Sequence, residues 1–196
     1  MTRLGGWLFR HRTIIPLPLA IAVLLLRIGE APPSKWLIAS GIALTLAGEA
    51  IRLWAVHHIG AISRTRSDRL GPLIAAGPFA VIRNPLYVGN IALWAGFALA
   101  ARLLWLVPVI VVMVAVEYHA IVRWEEELLE ARFGDEYRAY AARVPRWFPT
   151  LHHPSSASSA SPVVERFSWR ETLFSERGTL IAMAAGYALL SLKARF

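Results

Sequence analysis

Two adjacent carboxylates, Glu125 and Glu126, occur where the surrounding sequence predicts a buried helix face. At 100° per residue, Glu125 falls in the middle of an apolar stripe and Glu126 at its edge, whereas Glu127 points away. A carboxylate on a buried face must be paired or hydrogen-bonded, because burying a bare charge is costly. Two interpretations stay open: an ion pair of Glu125 with Arg132, which shares the stripe, or a site that binds a cationic group. The stripe comprises Tyr118, Ile121, Val122, Leu129 and Phe133.

A second set of chemically capable residues lies in "GPFAVIRNPLYVGN", residues 77–90, directly before a long apolar run. Its glycines allow close backbone approach, and its prolines fix the course of the turn. Arg83 can bind a carboxylate, and Tyr87 can meet a cation or a hydroxyl. Taken alone, the segment equally fits a helix cap with an interfacial Arg and Tyr.

The strip "YAARVPRWFP", residues 140–149, combines arginines with aromatic residues around two prolines that hold the chain extended. Arg143 and Arg146 can bind a carboxylate, and Trp147 can contact a flat ring or a cation. Arg and Trp also gather at membrane interfaces, so a structural anchor is the competing interpretation.

Two other groups favour structural roles. Glu49 and Arg52 lie three residues apart in an apolar segment, a spacing at which they pair on a helix. His57 and His58 resemble half of a zinc site, and the comparable pair is at residues 152–153. We favour an ion pair for the first group and expect no metal at the second.

The composition places these residues in a membrane protein. The 196 residues are 56% hydrophobic and only 17% charged, which is too apolar for a soluble domain. The absence of cysteine excludes disulfides and thiol catalysis. A net charge of +8 is ordinary for a membrane protein with basic edges, so we expect no nucleic-acid partner.

The hydropathy predicts an all-α, polytopic bundle of about five transmembrane helices. Residues 86–116 contain one charge, Arg102, and as a single helix would measure about 46 Å against a hydrocarbon core of about 30 Å. A hairpin turning at Arg102 is therefore predicted, and Gly134 is expected to end the helix that follows. The predicted spans are 13–29, 36–56, 86–101, 103–121 and 179–192.

The distribution of basic residues predicts the orientation. With five spans, fifteen Lys and Arg residues fall on the side of the N-terminus and the two long polar segments, against five on the other side. The more basic side of a multi-pass protein is normally cytoplasmic. We therefore predict an integral membrane protein whose polar segments, with their chemically capable residues, face the cytoplasm.

These motifs, taken in order, resemble the isoprenylcysteine carboxyl methyltransferase and phospholipid methyltransferase superfamily of integral membrane enzymes. The resemblance covers about residues 70–149 and includes Gly-Pro-aromatic, Arg-x-Pro-x-Tyr-x-Gly, a Glu pair, Phe-Gly-x-x-Tyr-x-x-Tyr and Arg-Val-Pro. Asn84 stands where the commoner family form has His, which leaves an amide but no imidazole. No Gly-x-Gly loop of a Rossmann-type cofactor site is present.

The resemblance implies S-adenosylmethionine as cofactor and a lipophilic acceptor that arrives from the bilayer. By analogy with the carboxyl methyltransferases, it implies that Arg143 and Glu126 orient the acceptor beside the sulfonium. No metal or covalent nucleophile is needed, since positioning and desolvation supply much of the rate of a methyl transfer. The implied cofactor-binding residues are Gly77, Pro78, Arg83, Asn84, Pro85, Tyr87, Gly89, Glu125, Glu126, Tyr137, Tyr140, Val144 and Pro145.

Carboxyl O-methylation is the favoured reaction, and three alternatives stay open. They are N-methylation of a phospholipid amine, an NADPH-dependent reduction as in the related sterol-reductase branch, and a non-catalytic membrane scaffold with a degenerate site. The acceptor and the oligomeric state are not encoded in recognisable motifs.

The C-terminal part departs from the family pattern. Residues 1–149 form the predicted transmembrane core, and "PSSASSASP" lies in a predicted flexible linker at 150–162. Residues 163–196 are predicted to form an interfacial segment, with Phe167, Trp169 and Phe174 facing the membrane, and then a hydrophobic helix. This part is a candidate for gating the substrate or supporting oligomerisation.

Overall fold

A computed structural model describes residues 2–60, 73–149 and 167–195. These ranges contain seven α-helices and no strand, which confirms the all-α class for the described part of the chain. The helices are α1 (Thr2–His11), α2 (Leu17–Leu25), α3 (Lys35–Ile59), α4 (Pro85–Ala100), α5 (Leu106–Phe133), α6 (Asp135–Arg143) and α7 (Trp169–Lys193), with a 3₁₀ turn at Gly77–Ala80 before α4.

Two of the helices in the described ranges, α3 and α5, are long and apolar enough to cross a membrane, and α4 is a shorter apolar helix of 16 residues.

The first predicted span is wrong as a single helix. Residues 13–29 contain a turn followed by the nine residues of α2, about 14 Å at 1.5 Å per residue. Pro16 and Pro18 explain the break, since proline lacks the N–H that a continuing helix needs. The five-span topology therefore stays a prediction.

The pairing of α3 and α4 depends on glycines that bring the two backbones into contact. A Cβ atom on Gly48 would lie 2.5 Å from the carbonyl oxygen of Gly89, and one on Gly96 would lie 2.6 Å from the backbone nitrogen of Thr45. Small residues are what let transmembrane helices approach this closely. The contact fixes the position of the N-terminal end of α4, where the candidate site begins.

The predicted hairpin at Arg102 is confirmed. Helix α4 ends at Ala100 and α5 begins at Leu106, and Arg102 has a positive φ of 63° at the turn between them. The backbones of Arg102 and Ala31 are hydrogen-bonded at 2.9 Å. Helix α5 then continues for 28 residues to Phe133, so the apolar arm and the segment with the Glu pair form one helix, which ends at Gly134 as predicted.

Helix α7 is one continuous helix that extends along the length of α3. The sequence had predicted an interfacial segment followed by a short span. Helix α7 begins at a capping box formed by Ser168 and Glu171. The indole of Trp169 stacks on His57 at the end of α3, with ring centroids 4.3 Å apart. At the other end, Lys193 pairs with Glu30 at 2.7 Å. The predicted linker lies outside the described residues.

A polar cluster, here the Glu30 cluster, closes the end of the bundle opposite the candidate site. The carboxylate of Glu30 accepts from Arg102 at 2.7 Å and forms an ion pair with Lys193, and Arg27 donates to the carbonyl of Lys193 at 2.9 Å. The charge count assigned Arg27, Arg102 and Lys193 to one side, and the structure brings them together at one end.

Candidate functional site

The candidate site forms where the loop before α4 meets the segment after α6, about 60 residues apart in sequence. The backbone N–H of Arg83 donates to the carbonyl of Pro145 at 2.9 Å. The hydroxyl of Tyr140 donates to the carbonyl of Phe79 at 2.8 Å, and the Asn84 amide donates to the carbonyl of Arg146 at 3.2 Å. The two motifs are thus one structural unit, and the Asn84 side chain has a positioning contact there.

Glu126 lies between two guanidinium groups. Its Oε1 is 2.9 Å from Nη1 of Arg83 and also accepts from Nε of Arg146 at 2.9 Å, while Nη2 of Arg146 donates to Oε2. The Glu126 side chain is only 14% exposed. These hydrogen bonds raise the pKa of the Arg146 guanidinium above its ordinary value. Glu126 therefore ties α5 to the loop before α4 and to the segment after α6.

Glu125 has a different set of contacts. Its Oε1 accepts from the hydroxyl of Tyr87 at 2.9 Å, and the Tyr87 ring packs against Tyr118 with centroids 4.7 Å apart. The ion pair with Arg132, one of the two interpretations left open by the sequence, is not formed: Arg132 is exposed, and its guanidinium lies over the ring of Phe133 at 5.2 Å. Within the described ranges, no guanidinium group forms a hydrogen bond with Glu125, in contrast to Glu126.

Tyr137 and Tyr140 are both buried where α6 packs against the loop before α4. Nη1 of Arg83 donates to the Tyr137 hydroxyl at 3.3 Å. Burial, together with the nearby charge of Glu126, raises the pKa of Tyr137, and burial likewise raises the pKa of Tyr140. Both phenols therefore stay protonated at neutral pH. Val144 is buried in the same small cluster as these two rings.

Gly77 and Gly89, the two glycines among the predicted cofactor-binding residues, pack against α3. Gly77 has φ of 60°, and a Cβ atom there would lie 2.3 Å from Nε2 of His58, so only glycine fits the turn. Gly89 lies on the α3–α4 contact, where a Cβ atom would be 2.6 Å from the carbonyl oxygen of Gly48. Pro78 and Pro85 are buried between these contacts. The close backbone approach that these glycines allow is to α3, and it holds the loop in place.

Arg143 does not contact Glu126. It ends α6 as an exposed side chain whose Nε donates to the carbonyl of Ala139 in the same helix, at 3.2 Å. Arg146, three residues on, makes the contact with Glu126 instead. From the sequence, both Arg143 and Arg146 were candidates to bind a carboxylate. The turn after α6 decides which of them points toward α5.

The predicted pair of Glu49 and Arg52 is confirmed at 3.1 Å, and it belongs to a larger polar group, here the Arg52 cluster. Arg52 also donates to Asn90 of α4 and to Glu176 of α7, and to the hydroxyl of Thr179 at 3.2 Å. No motif in the sequence singles out Glu176, whose helical position faces α3 only because α7 packs there. His57 stacks on Trp169, and a ring nitrogen of His58 is hydrogen-bonded to the carbonyl of Trp54. Residues 152–153 lie outside the described part of the chain.

Comparisons with known proteins find that the chain is similar to a methyltransferase family and to metal-resistance proteins. The profile of the phospholipid methyltransferase family matches residues 36–136. The nickel-cobalt-cadmium resistance protein NccN of Alcaligenes xylosoxydans xylosoxydans is 28% identical over 154 residues, which cover 76% of this chain and 69% of NccN. The cobalt-zinc-cadmium resistance protein CzcN of Cupriavidus metallidurans is 31% identical over 111 residues, 57% of this chain and 47% of CzcN.

The protein-S-isoprenylcysteine O-methyltransferase of Rattus norvegicus is 29% identical over 130 residues. The alignment covers 62% of this chain and 44% of the rat protein. The chain thus aligns with less than half the length of CzcN and of the rat enzyme.

Proposed function

Because the chain belongs to the phospholipid methyltransferase family, we propose that it transfers a methyl group from S-adenosylmethionine to a lipophilic acceptor. We further propose carboxyl O-methylation as the reaction. The observation that carries the proposal is the joining of the three family motifs by Arg83, Glu126 and Arg146 at one end of the bundle. The site is proposed to face the cytoplasm, on the basis of the charge distribution.

The residues present fit S-adenosylmethionine, which carries both positive and negative groups. Glu125 and Tyr87 offer a carboxylate and a phenol to its cationic part. Nε of Arg83 is a buried donor with no partner among the described residues, and it suits a ribose or carboxylate oxygen. Bound there, the cofactor supplies a methyl carbon made electrophilic by the sulfonium. The remaining residues of the predicted set, from Gly77 to Pro145, are proposed to shape and support this site.

The acceptor in carboxyl O-methylation is a carboxylate, which needs no proton removed before it attacks. The chain then has to orient the anion and keep water away. Arg146 uses Nε and Nη2 for Glu126, which leaves its Nη1 hydrogens for a carboxylate oxygen. Arg143 and Glu126 stay our proposed orienting residues for the acceptor, and Arg143 is reached from the exposed face of α6. The surrounding apolar helices suit an acceptor that enters from the bilayer.

Calorimetric titration of the detergent-solubilised protein tests the cofactor. We expect binding of S-adenosylmethionine and no binding of NADPH; the reverse result would favour a reductase. Binding of neither, in protein with a cooperative melt, would favour a non-catalytic scaffold.

Transfer of a radiolabelled methyl group tests the acceptor. We expect label in N-acetyl-S-farnesylcysteine, a lipophilic carboxylate, and none in phosphatidylethanolamine. Label that is stable to mild base and found only in the amine lipid would replace O-methylation by N-methylation.

A further inference from the structure

Helix α1 is held firmly against α5 one turn before the Glu pair. A Cβ atom on Gly5 would lie 2.3 Å from the carbonyl oxygen of Ala120 and 2.6 Å from Cβ of Trp124, so the two backbones are in contact. Phe9 is buried and packs on Trp124, with ring centroids 5.1 Å apart. The residues at the end of α1 therefore have a defined position beside residues 124–125.

Arg12 follows α1 directly, three residues after Phe9, which packs on Trp124, the neighbour of Glu125 in α5. Its guanidinium carbon is 4.1 Å from the centre of the Phe9 ring, and the residue is partly buried. Its positive charge interacts with Glu125 and with the hydroxyls of Tyr87 and Tyr118. Arg12 makes no hydrogen bond or ion pair with any residue in the described ranges, so no described residue occupies its five N–H donors.

The three arginines already assigned to the site are engaged with other groups. Arg83 and Arg146 both bind Glu126, and Arg143 donates to a carbonyl of its own helix. Of these four arginines, Arg12 is the one whose donors are all unused by described residues. It is therefore the candidate to bind a ligand that carries a carboxylate. Glu125 supplies the opposite charge in the same region. A guanidinium and a carboxylate in one site match the carboxylate and ammonium of an amino acid.

We propose that Arg12 is a ligand-binding residue of this site and that it binds a carboxylate group. The carboxylate has two possible sources, the amino-acid part of the cofactor or the lipophilic acceptor. The inference rests on the proposed function and extends it, because residue 12 precedes the range matched by the family profile. It also gives α1 a role in the site beyond that of an anchor.

The test compares Arg12→Gln and Arg12→Lys with Arg10→Gln, which removes an exposed charge two residues away, in the last turn of α1. Calorimetry measures binding of S-adenosylhomocysteine, which carries the amino-acid carboxylate, and of methylthioadenosine, which lacks it. The assay with N-acetyl-S-farnesylcysteine gives the KM of the acceptor, and thermal melting reports whether each variant is folded.

If Arg12 binds the cofactor, Arg12→Gln weakens S-adenosylhomocysteine about tenfold to a hundredfold, leaves methylthioadenosine unchanged and is partly rescued in Arg12→Lys. If it binds the acceptor, the cofactor affinities stay the same and the acceptor KM rises about tenfold. Either result supports the inference, provided that Arg10→Gln behaves as the wild type.

Three results overturn the inference. Unchanged affinities and KM in Arg12→Gln would show that Arg12 binds no ligand. Equal weakening of both nucleosides, or a lowered melting temperature with unchanged affinities, would assign Arg12 to packing. If the wild type binds neither nucleoside, the proposed function itself fails, and the role of Arg12 in this site fails with it.

Discussion

At the scale of single residues, the two adjacent glutamates have different surroundings although they share one helix turn. Glu126 has both carboxylate oxygens bound by guanidinium groups, whereas Glu125 accepts from one phenol. Glu126 therefore connects three segments, and Glu125 is left with capacity for a cation. Helical periodicity placed both on the buried side of α5, and only their partners separate the two roles.

Glu125→Gln is expected to weaken S-adenosylmethionine binding without unfolding the protein. Loss of a charged hydrogen bond in a partly buried site costs about 1.5–3 kcal/mol, or roughly tenfold to a hundredfold in affinity. A glutamine can still accept from Tyr87, so the melting temperature should hardly change. Calorimetry and thermal melting of the same preparation measure both effects.

Glu126→Gln should instead lower the melting temperature, because it leaves two guanidinium groups facing a neutral amide, at a cost of about 1–3 kcal/mol. Glu127→Gln is the matched control, since Glu127 is exposed on the same turn. Unchanged cofactor affinity in both Glu125→Gln and Glu126→Gln would refute the assignment of the site.

The two candidate arginines after α5 can be separated by stability. Arg146→Gln removes two hydrogen bonds to Glu126 and should destabilise the fold by about 1–3 kcal/mol. Arg143→Gln should leave the melting temperature unchanged, because Arg143 is exposed, and should lower methyl transfer about tenfold if it orients the acceptor. A normal rate in Arg143→Gln would remove Arg143 from the proposed catalytic residues.

At the scale of elements, backbone contacts decide where the site residues lie. Helix α4 contacts α3 through glycines, and α1 contacts α5 in the same way. Helix α7 adds Glu176 to the Arg52 cluster, so that a guanidinium inside the bundle has carboxylates from two helices. Removing one partner of such an ion-pair cluster is expected to lower the stability of the fold strongly, since the charge left behind stays buried.

Gly89→Ala tests the α3–α4 contact. The added Cβ would lie 2.6 Å from the carbonyl oxygen of Gly48 and 2.7 Å from Cγ of Arg52, so the helices must separate. Overpacking of this kind costs about 1–3 kcal/mol, and thermal melting should show it.

Gly178→Ala in α7 is the control for that substitution. No atom lies within 4 Å of a Cβ at position 178, and alanine is the better helix former by about 0.5–1 kcal/mol. We expect an equal or higher melting temperature. Gly89→Ala melting like the wild type would mean that α3 and α4 are not in backbone contact.

At the scale of the whole molecule, the protein has two polar ends. The candidate site with Glu125, Glu126 and α6 occupies one end, and the Glu30 cluster closes the other. Helices α3 and α7 each have one terminus at either end. This arrangement agrees with the charge count, which assigned Arg27, Arg102 and Lys193 to the less basic side.

Single cysteines test the orientation, because the chain has no cysteine of its own. Ala142→Cys on α6 and Pro32→Cys between α2 and α3 are both at exposed positions. We expect an impermeant thiol reagent on intact cells to label residue 32 and not residue 142. Labelling of residue 142 from outside would invert the proposed topology. The linker at 155–161 is expected to behave like residue 142, but it lies outside the described residues.

The sequence by itself determined the helical class, the hairpin at Arg102, the end of α5 at Gly134 and the buried face that carries Glu125. Each of these depends on local properties: hydropathy, the period of 3.6 residues and the conformational preferences of glycine. The same local patterns identified the family motifs and, through them, the methyltransferase family. The continuous 13–29 helix was wrong for a local reason as well, because Pro16 and Pro18 outweighed the apolar composition.

Only the tertiary structure decided which residues meet. Glu126 could have paired with Arg143 or Arg146, and Glu125 with Arg132, since periodicity fixes the side of a helix but not what packs against it. The neighbours of these carboxylates come from segments up to about 110 residues away, namely Arg12, Arg83 and Arg146. Such contacts depend on how the glycine surfaces of α1, α3 and α4 fit their neighbours, and that fit is a property of the assembled bundle.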